Sequence, residues 1–550
     1  TEGKIFLNCS DLGSAQQALL ALPDPKTSDT KSALDDCNDR IAWIRGDHSL
    51  EKLTTASTNY FRKRNITTFK DESDIDSDGN RTENITRDWV LGDIINSDPA
   101  YAKNRDFGYG SSTAMLESGS YDAYVTSNAN RTAAVYVGAN DGMLHAFRAD
   151  PTDTNSGKEL FAYVPAGVYG NLSKLTDINY IHKYYVDGSP SIGDAYFGSP
   201  TATWRTVLVG GLNAGGKTIY ALDITSPTTF SASNALWEFA DADDLGYTFS
   251  QPQIARLNNG KWAAIFGNGY NSTNEQAYLF IVDLSDGTLI RKIPAGTAGS
   301  NGMSTPVAYD GNNDKITDYV YAGDLQGNLW KFDLTSTDHN AWGVANGGAA
   351  IFVASNAKPT AHLQAITAQP QIGAHPDGGV MVYFGTGRYL TTGDTTDNNV
   401  QTFYGIWDKD STTVSRSSLI EQTIDVQTTY DAYSVRVTSS NNVDYGSGTV
   451  RGWYMDLSYP STATTSLERV VSSALVKYER IIFNTVLPST NPCSPGGDTW
   501  LMELDALTGK RTSDSVFDLS NDGTFSALIG GLPASGVKST VGIAKTPIWL

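Results

Sequence analysis

One recurring unit constrains the fold of this chain more than any other feature. It is an apolar strand, a turn of small residues, and a second strand that ends in an aromatic or apolar residue and Asp. It reads AAVYVGANDGMLHAFRAD from Ala133, TVLVGGLNAGGKTIYALDI from Thr206 and AIFGNGYNSTNEQAYLFIVDL from Ala264. The cleanest copy is DYVYAGDLQGNLWKFDL from Asp318. A longer-looped version starts at Val380, and the last runs from Arg480. Apolar and polar positions alternate with a period of two, and the Asp-Gly and Gly-Gly turns suit hairpins.

A second element precedes each unit: a short strand introduced by a small residue and usually Pro. It occurs at Asn96, Asp187, Phe249, Met303 and Thr367, with weaker copies near Val471 and Ser539, making seven starts. A short strand followed by a meander is one propeller blade, and a blade buries its faces only against neighbours. At 550 residues the chain is too long for one ordinary core unless the architecture repeats. The expected fold is therefore an all-β, about seven-bladed (modified) β-propeller over 89–550. Long loop insertions are expected, notably within 394–470. Residues 1–88 do not fit the repeat. They read as a small mixed α/irregular N-terminal lead-in packed on the propeller, with helical stretches at Ala15–Leu22 and Leu50–Arg64.

Charge narrows the function classes. The formal net charge is −20, and so acidic a surface repels phosphate backbones and anionic lipid headgroups, which argues against nucleic acid as a partner. No stretch reaches 18 uninterrupted apolar residues, so no membrane span is expected in this chain. No initiator Met, charged n-region or apolar h-region opens it, which reads as a mature piece or an excised domain. Of three cysteines, Cys9 and Cys37 are placed to close a local loop, though spacing alone does not decide the pairing. Cys493, in a turn-rich NPCSPGGD segment, reads as an odd thiol.

The sharpest local signal is DGNNDKITD at 310–318. Oxygen donors fall at alternate positions: Asp310, Asn312, Asp314, the backbone carbonyl of Ile316, and Asp318. A hard cation such as Ca2+ takes six to eight oxygens, and alternate side chains of a curled loop converge on one point. Two departures from an EF-hand are visible. Lys315 stands where Gly is usual, Tyr321 stands where a bidentate Glu would be, and Asp318 is left as the closing ligand. A second candidate, Asp74–Asn80, keeps the alternation but lacks ninth and twelfth ligands, and reads more readily as a solvated acidic linker. Arg45-Gly46-Asp47 is a tripeptide that integrins read in exposed loops. Six scattered histidines show no metal or catalytic spacing, and no nucleophile elbow or phosphate-binding loop occurs, so an enzyme is not expected.

The units GANDGMLHAF and GDLQGNLWKFDL resemble quinoprotein-type propeller repeats. Taken with RDWVLGDIINSDP at 87–99 and the calcium-type loop just before Asp318, they resemble the PilC/PilY family of type IV pilus-associated adhesins and biogenesis factors. The resemblance implies an exported C-terminal propeller at the cell surface, pilus tip or outer membrane. It implies support of pilus assembly, twitching motility, virulence and host-cell adhesion. Partners would be minor pilins and the assembly and retraction machinery, with integrin-type host receptors if Arg45, Gly46 and Asp47 are used. It further implies that the loop of Asp310, Asn312, Asp314, Ile316 and Asp318 binds calcium and controls pilus retraction. The rival class is a quinone-dependent dehydrogenase, whose vicinal Cys–Cys pair is missing here; a non-pilus propeller scaffold is the third.

Overall fold

The computed structural model describes residues 3–21, 32–52, 61–68, 85–88, 90–198, 202–489, 496–539 and 542–547. Among the described residues, six sheets of four or more strands follow one another along the chain. The first holds Ala100–Ala102, Ala134–Gly138, Leu144–Arg148 and Glu159–Tyr163. The second holds Ser191–Phe197, Thr203–Gly210, Ile219–Asp223 and Ala235–Phe239. The third holds Gln253–Arg256, Trp262–Gly267, Ala277–Asp283 and Leu289–Ala295. In the fourth, Val307–Tyr309, Tyr319–Gly323 and Asn328–Asp333 pair in order, and Gly343–Val344 and Phe352–Val353 both add to the last of these. The first five expected starts each open one of these sheets or the fifth.

Turn chemistry explains why the repeat folds as hairpins. In GDLQGN the Asp324 carboxylate, fully buried, accepts from the Gln326 and Asn328 N–H groups at 2.9 Å each and from Trp330 Nε1 at 2.8 Å. Gly327 closes that turn with φ 81°, and a Cβ there would stand 2.8 Å from the carbonyls of Ala354 and Gln364. Only glycine fits without strain. Alternation is weaker than expected in the middle of the sheets. Trp262–Gly267, Val380–Gly385 and Thr402–Asp408 are buried at every position, because both of their faces are covered.

The insertion within 394–470 is woven into two sheets. Gln371–Ala374, Val380–Gly385, Thr402–Asp408 and Gly452–Asp456 form the fifth sheet, and Ile420–Gln422 adds parallel to Gly452–Asp456 at its edge. The next hairpin, Ile424–Tyr430 with Tyr433–Thr438, passes to the sixth sheet. There the order continues through Gly536–Lys538, Gly497–Asp505 and Arg480–Pro488 to Leu475–Lys477. The weak start near Val471 thus opens the sixth sheet. The one near Ser539 opens no seventh among the described residues: Gly536–Lys538 is instead an inner strand, paired with Val435–Arg436 on one side and Trp500–Met502 on the other.

Two compact units divide the chain: Thr1–Asp241 with Tyr247–Ile254 and Asp283–Thr288, and Ala242–Gly246 with Ala255–Val282 and Leu289–Leu550. In the first, the N-terminal segment shares a core with the first two sheets: Cys9, Leu20, Ile41 and Phe61 pack in one cluster with Tyr136, Leu144, Tyr185 and Leu208. Its helices are α1, Ser14–Leu20, and α2, Ala33–Ile44. Ser32 caps α2, its hydroxyl accepting from the Asp35 N–H while Asp35 reaches back to the Ser32 N–H. A Cys9–Cys37 disulfide, Cα atoms 5.7 Å apart, ties α2 to the turn Cys9–Asp11 that precedes α1. Cys493 and the Asp74–Asn80 candidate lie outside the described residues. The helix expected over Leu50–Arg64 is not formed at its described ends. Glu51 and Phe61 make a parallel bridge, and the buried Glu51 carboxylate accepts from Arg64 Nε at 2.7 Å and Arg64 N at 3.0 Å. Pairing a buried charge across the chain outweighs the helical pattern there.

Candidate metal centre and Arg-Gly-Asp corner

The loop 310–318 joins Val307–Tyr309 to Tyr319–Gly323, in register across a hairpin of the fourth sheet. Its curl comes from two left-handed residues, Asn313 (φ 61°) and Lys315 (φ 73°). Asp310 Oδ1 accepts from the Asn312 and Asp314 N–H groups at 3.2 Å, and its Oδ2 from Lys315 N at 2.7 Å. Asn312 Oδ1 accepts from Asp314 N at 2.9 Å, and Asp314 Oδ1 from Ile316 N at 2.8 Å. Asp318 Oδ2 accepts from Gly311 N at 3.0 Å, closing the loop on itself. All four side chains expected as ligands therefore lie in one bonded loop, with Asp318 buried and Asn312 exposed.

The donor set fits a hard divalent cation, since every expected ligand is an oxygen and no nitrogen or sulfur intrudes. A carboxylate has about four lone-pair sites, so Asp310 and Asp318 retain acceptor capacity beyond the bonds above. As the loop stands, its carboxylates turn towards its own N–H groups. Among the described residues, no three His, Cys, Asp or Glu side chains converge closely enough to share an ion. Drawing Asp310, Asp314 and Asp318 together is work that a cation would have to do.

The loop is wired to its surroundings within the second unit. Asp318 Oδ1 lies 3.3 Å from Asn258 Nδ2, in the turn that joins two strands of the third sheet. Along the strand leaving the loop, the Tyr321 hydroxyl donates to Asp408 Oδ2 at 2.7 Å, and Lys331 Nζ donates to the same oxygen at 2.8 Å. Burial, with Asp408 beside it, pushes the Tyr321 hydroxyl well above its ordinary pKa. Asn258 and Asp408 stand far from the loop in sequence, and no spacing rule points to them.

Arg45-Gly46-Asp47 proves to be the C-terminus of α2. Gly46 (φ 111°) donates to the Trp43 carbonyl at 2.9 Å, and Asp47 N donates to the Ala42 carbonyl at 2.9 Å. That pair of bonds is the Schellman closure, which calls for glycine at the left-handed position. The corner is rigid: Arg64 donates to the Trp43 and Asp47 carbonyls at 2.6 and 2.8 Å. Trp43 and Ile44 are buried as their chemistry suggests, whereas Arg45 and Asp47 are exposed. A hydrogen bond from Ser49 N holds the Asp47 carboxyl below the usual carboxylate range.

Arg45 also lines a cavity of about 540 Å³, together with His145 and the apolar side chains of Phe6, Ile44 and Met143. His145 is the best-placed histidine for acid–base work, yet both its nitrogens are engaged: Nδ1 with Glu159 at 2.6 Å and Nε2 with Asp141 at 3.1 Å. Burial alone would lower its pKa, but the two carboxylates raise it to about 9. At neutral pH that favours an imidazolium held between two acids.

Comparison with known proteins places this architecture. A family model described as the PilY1 beta-propeller domain matches residues 91–434. The type IV pilus biogenesis factor PilY1 of Pseudomonas aeruginosa (strain PAK) is 37% identical, over 93% of this chain and 44% of that protein. A PilY1 homolog of Xylella fastidiosa (strain Temecula1) is 39% identical, over 83% of this chain and 31% of the homolog. The chain thus spans less than half the length of these relatives. The crystal structure of the Pseudomonas aeruginosa PilY1 C-terminal domain is 34% identical, with a TM-score of 0.67 covering 80% of this chain and 94% of that one. This chain, mostly β with few helices, belongs to the PilY1 β-propeller family.

Proposed function

We propose that this chain is the calcium-binding C-terminal portion of a type IV pilus biogenesis factor, with 1–88 as a lead-in and 89–550 as the propeller carrying the loop 310–318. It acts at the cell surface, at the pilus tip or outer membrane, with minor pilins and the assembly and retraction machinery as partners. The observation that carries the reading is one juxtaposition. Five alternating oxygen donors open a strand inside a domain 34% identical to the PilY1 C-terminal domain. Its relatives are named as pilus biogenesis factors, and the chain is read as a non-enzyme.

The mechanism follows from charge. Without a metal, Asp310, Asp314 and Asp318 repel one another and turn to the loop's own N–H groups. Asp310, Asn312, Asp314, the Ile316 carbonyl and Asp318 are the groups that would hold calcium, whose charge would cancel that repulsion. Occupancy stabilises the bound form by about 2.7 kcal/mol at a hundredfold excess over Kd. A partner that distinguishes the two forms turns this into control of pilus extension against retraction, and hence of twitching motility. Titration calorimetry with calcium tests the site: heat is expected from the native chain and none from Asp318→Ala. Equal binding by both rejects the assignment. Asp318→Lys places a fixed ammonium at the ion's position and is expected to mimic occupancy in a pilus retraction assay.

Host-cell adhesion rests separately on Arg45, Gly46 and Asp47. A rigid, exposed helix corner with an ionised Asp47 suits an integrin-type receptor. Asp47→Glu is expected to abolish cell attachment to the immobilised chain while calcium binding stays unchanged.

A further inference from the structure

Asn258 lies in the turn after Gln253–Arg256, about fifty residues before the loop 310–318 begins, yet its Nδ2 meets the loop's base. It stands 3.1 Å from the Thr317 carbonyl, 3.3 Å from Asp318 Oδ1 and 3.1 Å from the Leu334 carbonyl. Leu334 follows the strand Asn328–Asp333, and its own N–H donates to the Asp318 carbonyl at 2.8 Å. Alongside, Thr317 N donates to the Arg256 carbonyl at 2.8 Å, and Leu257 bridges Thr317 in parallel. One side-chain amide therefore joins the third sheet to both ends of the central hairpin of the fourth, before Tyr319–Gly323 and after Asn328–Asp333.

The arithmetic of that amide is the point. An –NH2 group has two hydrogens, and here it faces three acceptors. The longest of the three contacts is the one to Oδ1 of Asp318, the carboxylate that would close a metal shell. We propose that Asn258 is a positioning residue that reports calcium occupancy of the loop to the third sheet. When an ion takes Asp318 Oδ1, both hydrogens of Asn258 settle on the Thr317 and Leu334 carbonyls, and the junction between the sheets tightens. Without the ion, Asp318 draws one hydrogen away and the junction loosens. Coupling is reciprocal: the bond that Asn258 gives Asp318 in the ion-free loop holds calcium affinity down by as much as an ion at Asp318 would weaken that bond. The inference rests on the loop being a calcium site.

Hydrogen–deuterium exchange on the whole chain, with calcium or with chelator, tests it beside calorimetry. In the native chain calcium is expected to slow exchange at 310–318 and also at 255–262 and Thr317. In Asn258→Ala the loop should still respond, 255–262 should not, and Kd should fall roughly three- to tenfold, the share of one hydrogen bond to a charged group lost from the ion-free form. Asn258→Ser, which keeps one donor hydrogen and disturbs packing less, should fall between the two. It serves as the readout if the Ala variant does not fold. Undiminished calcium protection at 255–262 in these variants overturns the coupling, as does a native chain in which only the loop responds. A native chain with neither heat nor loop protection removes the calcium reading itself, and the coupling with it.

Discussion

The molecule contains two loops with the same internal bonding and different settings. In 310–318 the fifth and sixth N–H groups donate to the first carboxylate, the seventh donates to the fifth, and the fourth and sixth residues are left-handed. In 518–526 the pattern repeats. Asp522 N and Gly523 N donate to Asp518 at 3.3 and 2.9 Å, and Thr524 N donates to Asp522 Oδ1 at 2.8 Å. Asn521 (φ 53°) and Gly523 (φ 79°) are left-handed. The ninth residue differs. Asp318 is buried and held by Gly311 and Asn258, whereas Ser526 is exposed and meets the Thr524 hydroxyl. Loop curl is thus common coinage for Asp- and Asn-rich turns. What sets 310–318 apart is a buried ninth carboxylate anchored to a neighbouring sheet.

If that anchored carboxylate is what matters, Asp318→Ala should lower calcium affinity about a hundredfold or more by calorimetry, the share of a charged closing ligand. A variant retaining near-native affinity would erase the distinction between the loops. Next comes the sixth position, where the two loops carry Lys and Gly. Lys315→Gly removes a cation close to the ion and should tighten calcium binding roughly threefold at moderate salt. It should also stabilise the fold by about 1 kcal/mol in chemical denaturation, because a left-handed Lys is strained. The converse change, Gly523→Lys, should destabilise by about the same 1 kcal/mol without altering calcium heat. Smallest of all is Ser526→Ala, expected to leave both affinity and denaturation midpoint unmoved; a calcium response there would make the two loops equivalent.

The hairpin repeat was plain in the sequence because its turns have fixed chemistry: Asp324 and Gly327 mark a tight turn wherever the chain goes next. The same holds for the donors at 310–318, which are local. The 518–526 loop was equally local, as DLSNDGTFS with Gly at the sixth place, and so was α2, whose Leu34, Cys37, Ile41 and Ile44 repeat with helical spacing behind the Ser32–Asp35 cap. These were signals that went unread. Gly46, the centre of the Arg-Gly-Asp tripeptide, is also the residue a helix end requires, and sequence offers no way to separate those roles. Other features were beyond local reading. Nothing near Asn258 announces Asp318, and nothing in 424–438 announces that this hairpin leaves the fifth sheet for the sixth, since both pairings are decided by tertiary contact.

That last pairing carries a consequence for the order of events during biosynthesis. Tyr433–Thr438 pairs at once with Ile424–Tyr430, but its second neighbour, Gly536–Lys538, lies about a hundred residues downstream. A ribosome making 5–20 residues per second delivers that partner roughly 5–20 seconds later. Throughout the wait, one hairpin rim offers unsatisfied amides and carbonyls to any passing strand. The final stitch of the sixth sheet is therefore a step at which a nascent molecule is exposed to pairing with the wrong chain.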